Sequence, residues 1–322
     1  MDLNSMIFYG TLGADFPLPV DQPFTHRMAR QAGISRRRLG DLLDAGLIRR
    51  AVKGVYLPTE VGDSLALRAA CLRLVAPPDC VVVDRHAGWL LGADMVLAPG
   101  EHISLRPLSL YRPSGHGRLR NDIASSGERD IREDEIVEVG GLRVTSAVRT
   151  AWDLGRVPWP DEAIAGISSM HRLGAYDTDE FLDGIERFRG QRWVRTLRVI
   201  APLADGRVES PPEAVLMLRC HQAGFPVVPQ VEVVTVQGEF VARLDLGNEE
   251  LLAAVEYDGA EWHSSSEQQA HDRARREDVR EEGWLVEAVT KTDLFTRHGD
   301  AEVRIRQLHR KALQRRGGRI AS

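Results

Sequence analysis

The stretch Arg243-Leu-Asp-Leu-Gly-Asn-Glu-Glu-Leu-Leu-Ala-Ala-Val-Glu-Tyr-Asp-Gly-Ala-Glu-Trp-His263 reads as two short strands that present Asp245, Glu256 and Asp258 together. Carboxylates packed closely repel and raise one another's pKa unless a cation neutralises them. A hard cation such as Mg²⁺ or Mn²⁺, held by two or three of these acids and left open to water and phosphate, suits metal-assisted phosphodiester hydrolysis. Side chains alternate along a strand, so Val241, Arg243 and Asp245 share one face while Ala242, Leu244 and Leu246 share the other. The same alternation puts Glu256 and Asp258 on one side of the next strand and Val255 and Tyr257 on the opposite side. The interval between Asp245 and Glu256 suits a tight turn between paired strands, and a fourth carboxylate, Glu213, falls in the first turn of the preceding helix.

The elements that must position these acids follow Ser210. The pattern predicts a helix over Pro211 to Ala223, strands over Gln230 to Val236, Phe240 to Leu246 and Leu251 to Tyr257, a helix over Glu267 to Glu282, a strand over Leu285 to Val289 and a helix over Ala301 to Gln314. The Gln237-Gly238 turn joins the first two strands as a hairpin, and the helix before Leu285 suggests a crossover. Each acid also has a plainer reading. Ser210-Pro-Pro-Glu213 is a capping-box sequence. Asp258-Gly259 is equally a turn, Trp262 a core aromatic and His263 a hydrogen-bonded histidine. Arg243 or Arg275 can hold Asp245 or Glu256 in a structural ion pair, and Asp272 with Arg275 fits a solvated helix pair.

Two helix-like segments, a turn at Ala32-Gly33-Ile34 and alternating residues from Leu47 to Tyr56 give Phe24 to Tyr56 the outline of a winged helix. Ser35 is placed to cap the second helix, with Leu39, Leu42 and Leu43 as its apolar stripe and Arg36, Arg37 and Arg38 in its exposed first turn. Recognition helices meet DNA with such residues. Thr25 to Gly54 holds eight Arg and Lys, including Arg50 and Lys53, against two acids, Asp41 and Asp44. Lys53-Gly54 is expected at the wing tip, where a phosphate or minor-groove contact is made.

With 322 residues the chain is long enough for at least two domains. We expect an α/β multidomain protein: a winged helix-turn-helix over 1–60, a middle α/β and helical linker region over 61–205, and a nuclease-like α/β domain over 206–322. In the middle, helices are expected over Ser64 to Val75, Arg85 to Leu91 and Ser146 to Leu154, and strands over His102 to Leu105, Ile136 to Val139 and Leu142 to Val144. Val139-Gly140-Gly141 marks a hairpin. Arg112 to Arg120 reads first as a solvated loop, and Pro160 to Arg198 as charged helix linking front to back. The net charge of −5 excludes a uniformly basic coat, so any nucleic-acid contact must be local. Cys71, Cys80 and Cys220 form neither a disulfide framework nor a thiolate zinc site. No apolar run approaches the ~18 residues that span a bilayer, and the N-terminus has no basic leader, so a cytoplasmic location is expected.

Glu213 in Ser-Pro-Pro-Glu, Gln230, Asp245, Val-Glu-Tyr-Asp-Gly259, Trp262-His263, Asp272 with Arg275, and Gly283-Trp284 together resemble the PD-(D/E)XK nuclease superfamily over roughly 206–315. The resemblance is specifically to the branch of the very-short-patch-repair endonuclease and its uncharacterised relatives. The resemblance implies that Asp245 and Glu256 bind Mg²⁺ with Glu213 assisting, and that His263 acts as general base or electrostatic partner. The common motif places lysine where this chain has Asp258. Asp258 then becomes a further metal ligand, or Lys291 supplies the charge. The repair enzyme's zinc ligands are absent, so no structural zinc is implied.

Residues 29–56 resemble the winged-helix domain of abortive-infection type IV antitoxins, and Val144-Thr-Ser-Ala-Val-Arg-Thr-Ala-Trp-Asp-Leu154 is similar to a segment of the same long architecture. That family implies a repressor of its own operon with a cognate toxin protein as partner. The chain is therefore expected to bind DNA and cleave it with Mg²⁺, in defence or repair. The alternative is a repressor or antitoxin whose nuclease fold is inactive.

Overall fold

Hydroxyl caps begin the N-terminal helices. In the computed structural model, which describes residues 3–95, 106–117, 119, 122–259 and 275–320, with side chains described as far as 317, Thr25 Oγ1 accepts the Met28 N–H at 3.2 Å. Ser35 Oγ accepts the Arg38 N–H at 3.3 Å. These caps open α2 (His26–Gln31) and α3 (Arg36–Asp44), satisfying amides that lack a partner in the first turn. A short helix, α1 (Leu3–Tyr9), and a short strand, β1 (Phe24–Thr25), precede them. Gly33, at φ +82°, makes the turn between α2 and α3 in a backbone region that other residues enter only with strain. Strands β2 (Ile48–Val52) and β3 (Val55–Pro58) form an antiparallel ribbon around Lys53-Gly54, and β1 adds to give the order β1-β3-β2. Met6, Phe24, Ile34, Leu39, Leu42 and Ile48 close one core over this sheet.

The ribbon serves a second core as well. Val52 and Val55 join Leu72 of α4 (Leu65–Arg73), Leu90 of α5 (Asp84–Leu91), Leu108 and Leu110 of β5 (Leu108–Pro113) and Val144 of β9 (Leu142–Thr145). These belong to a six-stranded sheet completed by β4 (Val81–Val82), β6 (Ala124–Ser125), β7 (Glu128–Arg129) and β8 (Ile136–Val139). Its order is β6-β5-β4-β9-β8, with β7 on β5. The β8–β9 hairpin turns on Gly140 and Gly141, both at positive φ, as the sequence suggests. The strand expected over His102 to Leu105 lies outside the described residues. In the loop after β5, the amides of Gly115 (3.2 Å) and Gly117 both donate to the Glu128 carboxylate, so a carboxylate of the chain itself occupies the N–H groups that a phosphate would need.

The chain divides into two compact units, the first of Met1–Ala93 with Ile103–Asp153, the second of Asp94–His102 with Leu154–Ser322. Residues 1–60 therefore share a unit with the first part of the middle region, and residues after Leu154 share one with the C-terminal elements. In the first unit a charged chain is buried beside α6 (Ala147–Gly155). Arg149, 1% exposed, donates to Asp153 Oδ2 at 2.9 Å and to Glu135 Oε2 at 2.5 Å. Arg129 bridges Asp153 at 3.1 Å and Asp84, with its guanidinium 4.1 Å from the Tyr111 ring centre.

In the second unit, Pro160 to Arg198 is not a charged linker. Helix α7 (Pro160–Arg172) is buried without a break from Ala163 to Met170, and α8 (Thr178–Asp183) and α9 (Val194–Ile200) follow it. Small residues explain this: Gly166 approaches the Leu154 side chain so closely that a Cβ would sit 2.9 Å from it. Helix α10 (Pro211–Gln222) leads into a four-stranded sheet, order β10-β11-β12-β13. The strands are β10 (Val228–Val234), β11 (Phe240–Asn248), β12 (Ala253–Asp258) and β13 (Leu285–Thr290). The first three are antiparallel; β13 is parallel to β12 and follows a helix, α11, seen over 275–281. The earlier part of the helix expected from Glu267 lies outside the described residues. Helices α12 (Lys291–Phe295) and α13 (Ala301–Ile320) complete the unit. No helix among the described residues is long and apolar enough to cross a membrane.

Candidate functional site

Strand β11 buries Ala242, Leu244 and Leu246 and leaves Val241, Arg243 and Asp245 more accessible, the alternation expected from sequence. It pairs with β12 through Leu246 and Val255, and one step further along that register sets Asp245 across from Glu256. There a side chain replaces the backbone ladder: Asp245 Oδ2 accepts the Tyr257 N–H at 2.8 Å. Residues paired across antiparallel strands point to the same side, so Asp245 and Glu256 meet.

Each of the other acids has a partner of its own. Glu256, 6% exposed, accepts Arg275 Nη2 at 3.0 Å, and Asp258 accepts Arg276 Nη2 at 3.1 Å. Glu213 takes the Ser210 hydroxyl on one oxygen at 2.7 Å, and the Glu209 N–H (2.8 Å) and Gln230 Nε2 (3.2 Å) on the other. Ser210 Oγ in turn accepts the Glu213 N–H at 3.4 Å, so the serine half of the expected capping box forms, while the glutamate reaches the amide one residue before the cap. Arg243 pairs with Glu209 at 2.8 Å rather than with Asp245 or Glu256.

Asp245 has no ion pair of its own among the described residues. Burial pushes its carboxyl up to about 7; the Tyr257 amide works against that rise, Glu213 and Glu256 add to it by repulsion, and Arg275 offsets part of it. Gln230 stands opposite Asp245 in the β10–β11 register and adopts φ +59°, a left-handed backbone inside a strand. Such geometry costs a non-glycine residue of order 1 kcal/mol and concentrates where a side chain must be aimed. Here it accompanies the amide that Gln230 gives Glu213. Periodicity carries no signal for it.

Among the described residues no group of three or more His, Cys, Asp or Glu is arranged to hold a metal ion. Asp245 with Glu256 is a two-carboxylate donor set of oxygen alone, which fits a hard cation completed by water and phosphate. Arg275 would have to release Glu256, a small cost for a side chain 35% exposed. Lys291 directly follows Thr290, which pairs with Asp258, so it leaves the sheet at the same end. His263, Trp262 and Asp272 lie outside the described residues.

In the first unit, Arg36 and Arg37 are exposed at the start of α3 without an ion pair among the described residues, and Arg50 is exposed on β2. Arg38 is engaged by Asp41 at 3.4 Å. Lys53 is half-buried, and the ribbon tip beside it is not free: a Cβ on Gly54 would sit 3.5 Å from Ile123 and 3.8 Å from Val75.

No family model matches the chain. It is similar to an uncharacterized protein of Mycobacterium tuberculosis, found in strain CDC 1551 / Oshkosh and again in strain H37Rv, with 27% identity over 272 residues. The match covers 84% of this chain and 96% of that protein, so it takes in both units.

Proposed function

We propose that the protein binds DNA and that its second unit hydrolyses phosphodiester bonds with Mg²⁺ or Mn²⁺ held by Asp245 and Glu256. Asp245 carries the reading: a half-buried carboxylate repelled by Glu213 and Glu256, held by one amide and only partly offset by Arg275, is short of the positive charge a divalent cation brings. When bound, the ion would polarise the phosphate and lower the pKa of an attacking water. Glu213 is fixed by Ser210 and Gln230 near Asp245, and Arg275 is positioned to turn from Glu256 towards a phosphate oxygen. A helix on a mixed sheet with acids on adjacent strands supports a PD-(D/E)XK-like domain. Two capped helices, a ribbon and the exposed Arg36 and Arg37, without an ion pair among the described residues, support a winged helix for DNA. Supercoiled plasmid incubated with Mg²⁺ or Mn²⁺ tests this. Wild type is expected to yield relaxed or linear product and Glu256→Ala none, and undiminished cleavage by that variant would sink the assignment.

The pairs Glu256–Arg275 and Asp258–Arg276 favour a second reading, a repressor or type IV antitoxin whose nuclease fold is inactive. It expects sequence-specific binding upstream of the protein's own gene, weakened by Arg37→Ala. Equal affinity for random duplex would count against it.

A further inference from the structure

The chain is acidic overall, with a net charge of −5, but its terminal helix is not. Along α13 seven Arg and Lys stand against one acid, Glu302. Some of these cations are already matched: Arg304 to Glu287 and Asp293, Arg306 to Glu302 and Arg316 to Glu250. Arg310, Lys311 and Arg315 meet no carboxylate among the described residues. Lys311 and Arg315 line a groove of about 550 Å³ together with Arg280, Trp284 and Gln307. Arg280 is likewise unpaired among the described residues, and the one acid lining the groove, Glu287, is held by Arg304. Lys311 and Arg315 are one turn apart on one helix face, about 6 Å along its axis.

We propose that this groove binds the phosphate backbone of a nucleic acid, at a site separate from the carboxylates of β11 and β12. The groove takes in β13 from Leu285 to Glu287. That is the end of the strand beside Ala253, whereas Glu256 and Asp258 lie towards the other end, beside Ala288 and Thr290. Arg280 and Lys311 are exposed and Arg315 is half-buried, so together they offer a positive surface that favours a partner bringing several negative charges in a row. Protein interfaces are anchored by projecting apolar or aromatic side chains; here Trp284 and Leu308 are each 6% exposed, and Leu285 and Val286 are half-buried in the sheet rather than projecting anchors. Phosphate contacts need only cations. With no accessible ring to stack a base, the groove grips backbone without reading sequence.

The inference rests on neither hydrolysis at Asp245 nor the arginines of α3. The test uses the full chain in EDTA, with anisotropy of a labelled random-sequence duplex titrated at several salt concentrations. Lys311→Ala/Arg315→Ala is compared with Arg306→Ala/Arg310→Ala, which removes the same charge from the same helix outside the groove. The groove variant is expected to lose about ten-fold in affinity and to flatten the log-affinity against log-salt slope by about 2, and the control to stay within about two-fold. Unchanged melting temperatures show that the exposed substitutions leave the fold intact. Equal losses in both variants would overturn the proposal. So would loss of all binding in Arg36→Ala/Arg37→Ala, or poly-glutamate bound as tightly as duplex and with the same sensitivity to the groove variant. EDTA keeps hydrolysis out of the readout, so failure here leaves the reading of Asp245 standing.

Discussion

A carboxylate short of counter-charge reports on its ligand as well as holding it. If Asp245 and Glu256 take a divalent ion, adding Mg²⁺ should raise the melting temperature of the wild type, by about 2.7 kcal/mol of stability at a hundred times the Kd. Asp245→Asn should lose that response. In EDTA the variant should be at least as stable as wild type, since its side-chain oxygen still accepts the Tyr257 N–H while repulsion from Glu213 and Glu256 is relieved. Calorimetry with and without metal checks both. A second titratable residue, His86 in the first unit, gives a pH prediction. Burial, reinforced by Arg85, pushes its imidazole down to about 4, and Nδ1 accepts the Ser109 N–H at 3.2 Å, a bond that protonation of that nitrogen would break. Above about pH 6.5 both folded and unfolded chains hold it neutral; as pH falls towards 4 the unfolded chain is protonated first, so stability drops, by on the order of 2 kcal/mol. Asn at this position keeps an acceptor without the titration and should remove that dependence. The acids themselves were legible because strand alternation declares them. Arg275 was legible as a possible ion partner, but its choice of Glu256, and Arg276's of Asp258, come from a helix that returns after β12, which no local spacing encodes.

Elements were read best where one residue's chemistry fixes a boundary. Ser35, Ser210 and the Gly140-Gly141 turn stand where expected because caps and positive-φ turns are local demands. Helix α7 stands where a helix is expected, but its burial from Ala163 to Met170 is not legible, because its small residues look neutral in a periodicity count while letting side chains such as Leu154 approach closely. The short strands β4, β6 and β7 span two residues each and carry no periodic signal of their own. Around α6 the sequence shows Arg149 and Asp153 four residues apart, a spacing that on most helices marks a surface pair. Here both are buried, with Glu135 completing the set. Arg149→Met should therefore cost about 3–5 kcal/mol in urea denaturation by leaving buried carboxylates without their cation. A loss below 1 kcal/mol would mean that Arg129 takes over Asp153.

At the scale of the whole molecule the sequence suggested three segments and the contacts divide into two units. Each has its own apolar clusters, so thermal unfolding is expected to show two transitions, with the acid sensitivity of His86 confined to the first unit's. The composition hid another whole-chain property, since a net charge of −5 averages over a cationic terminal helix and an acidic remainder. The placement of Val52 and Val55 bears on how such a chain could have been assembled. Because the N-terminal ribbon shares these residues with the sheet that follows, cutting after residue 60 would bare an apolar face on both fragments. The helix pair is thus no cassette to be lifted out by itself: any rearrangement that moved it would have to carry along the sheet that follows, which lies in the same compact unit.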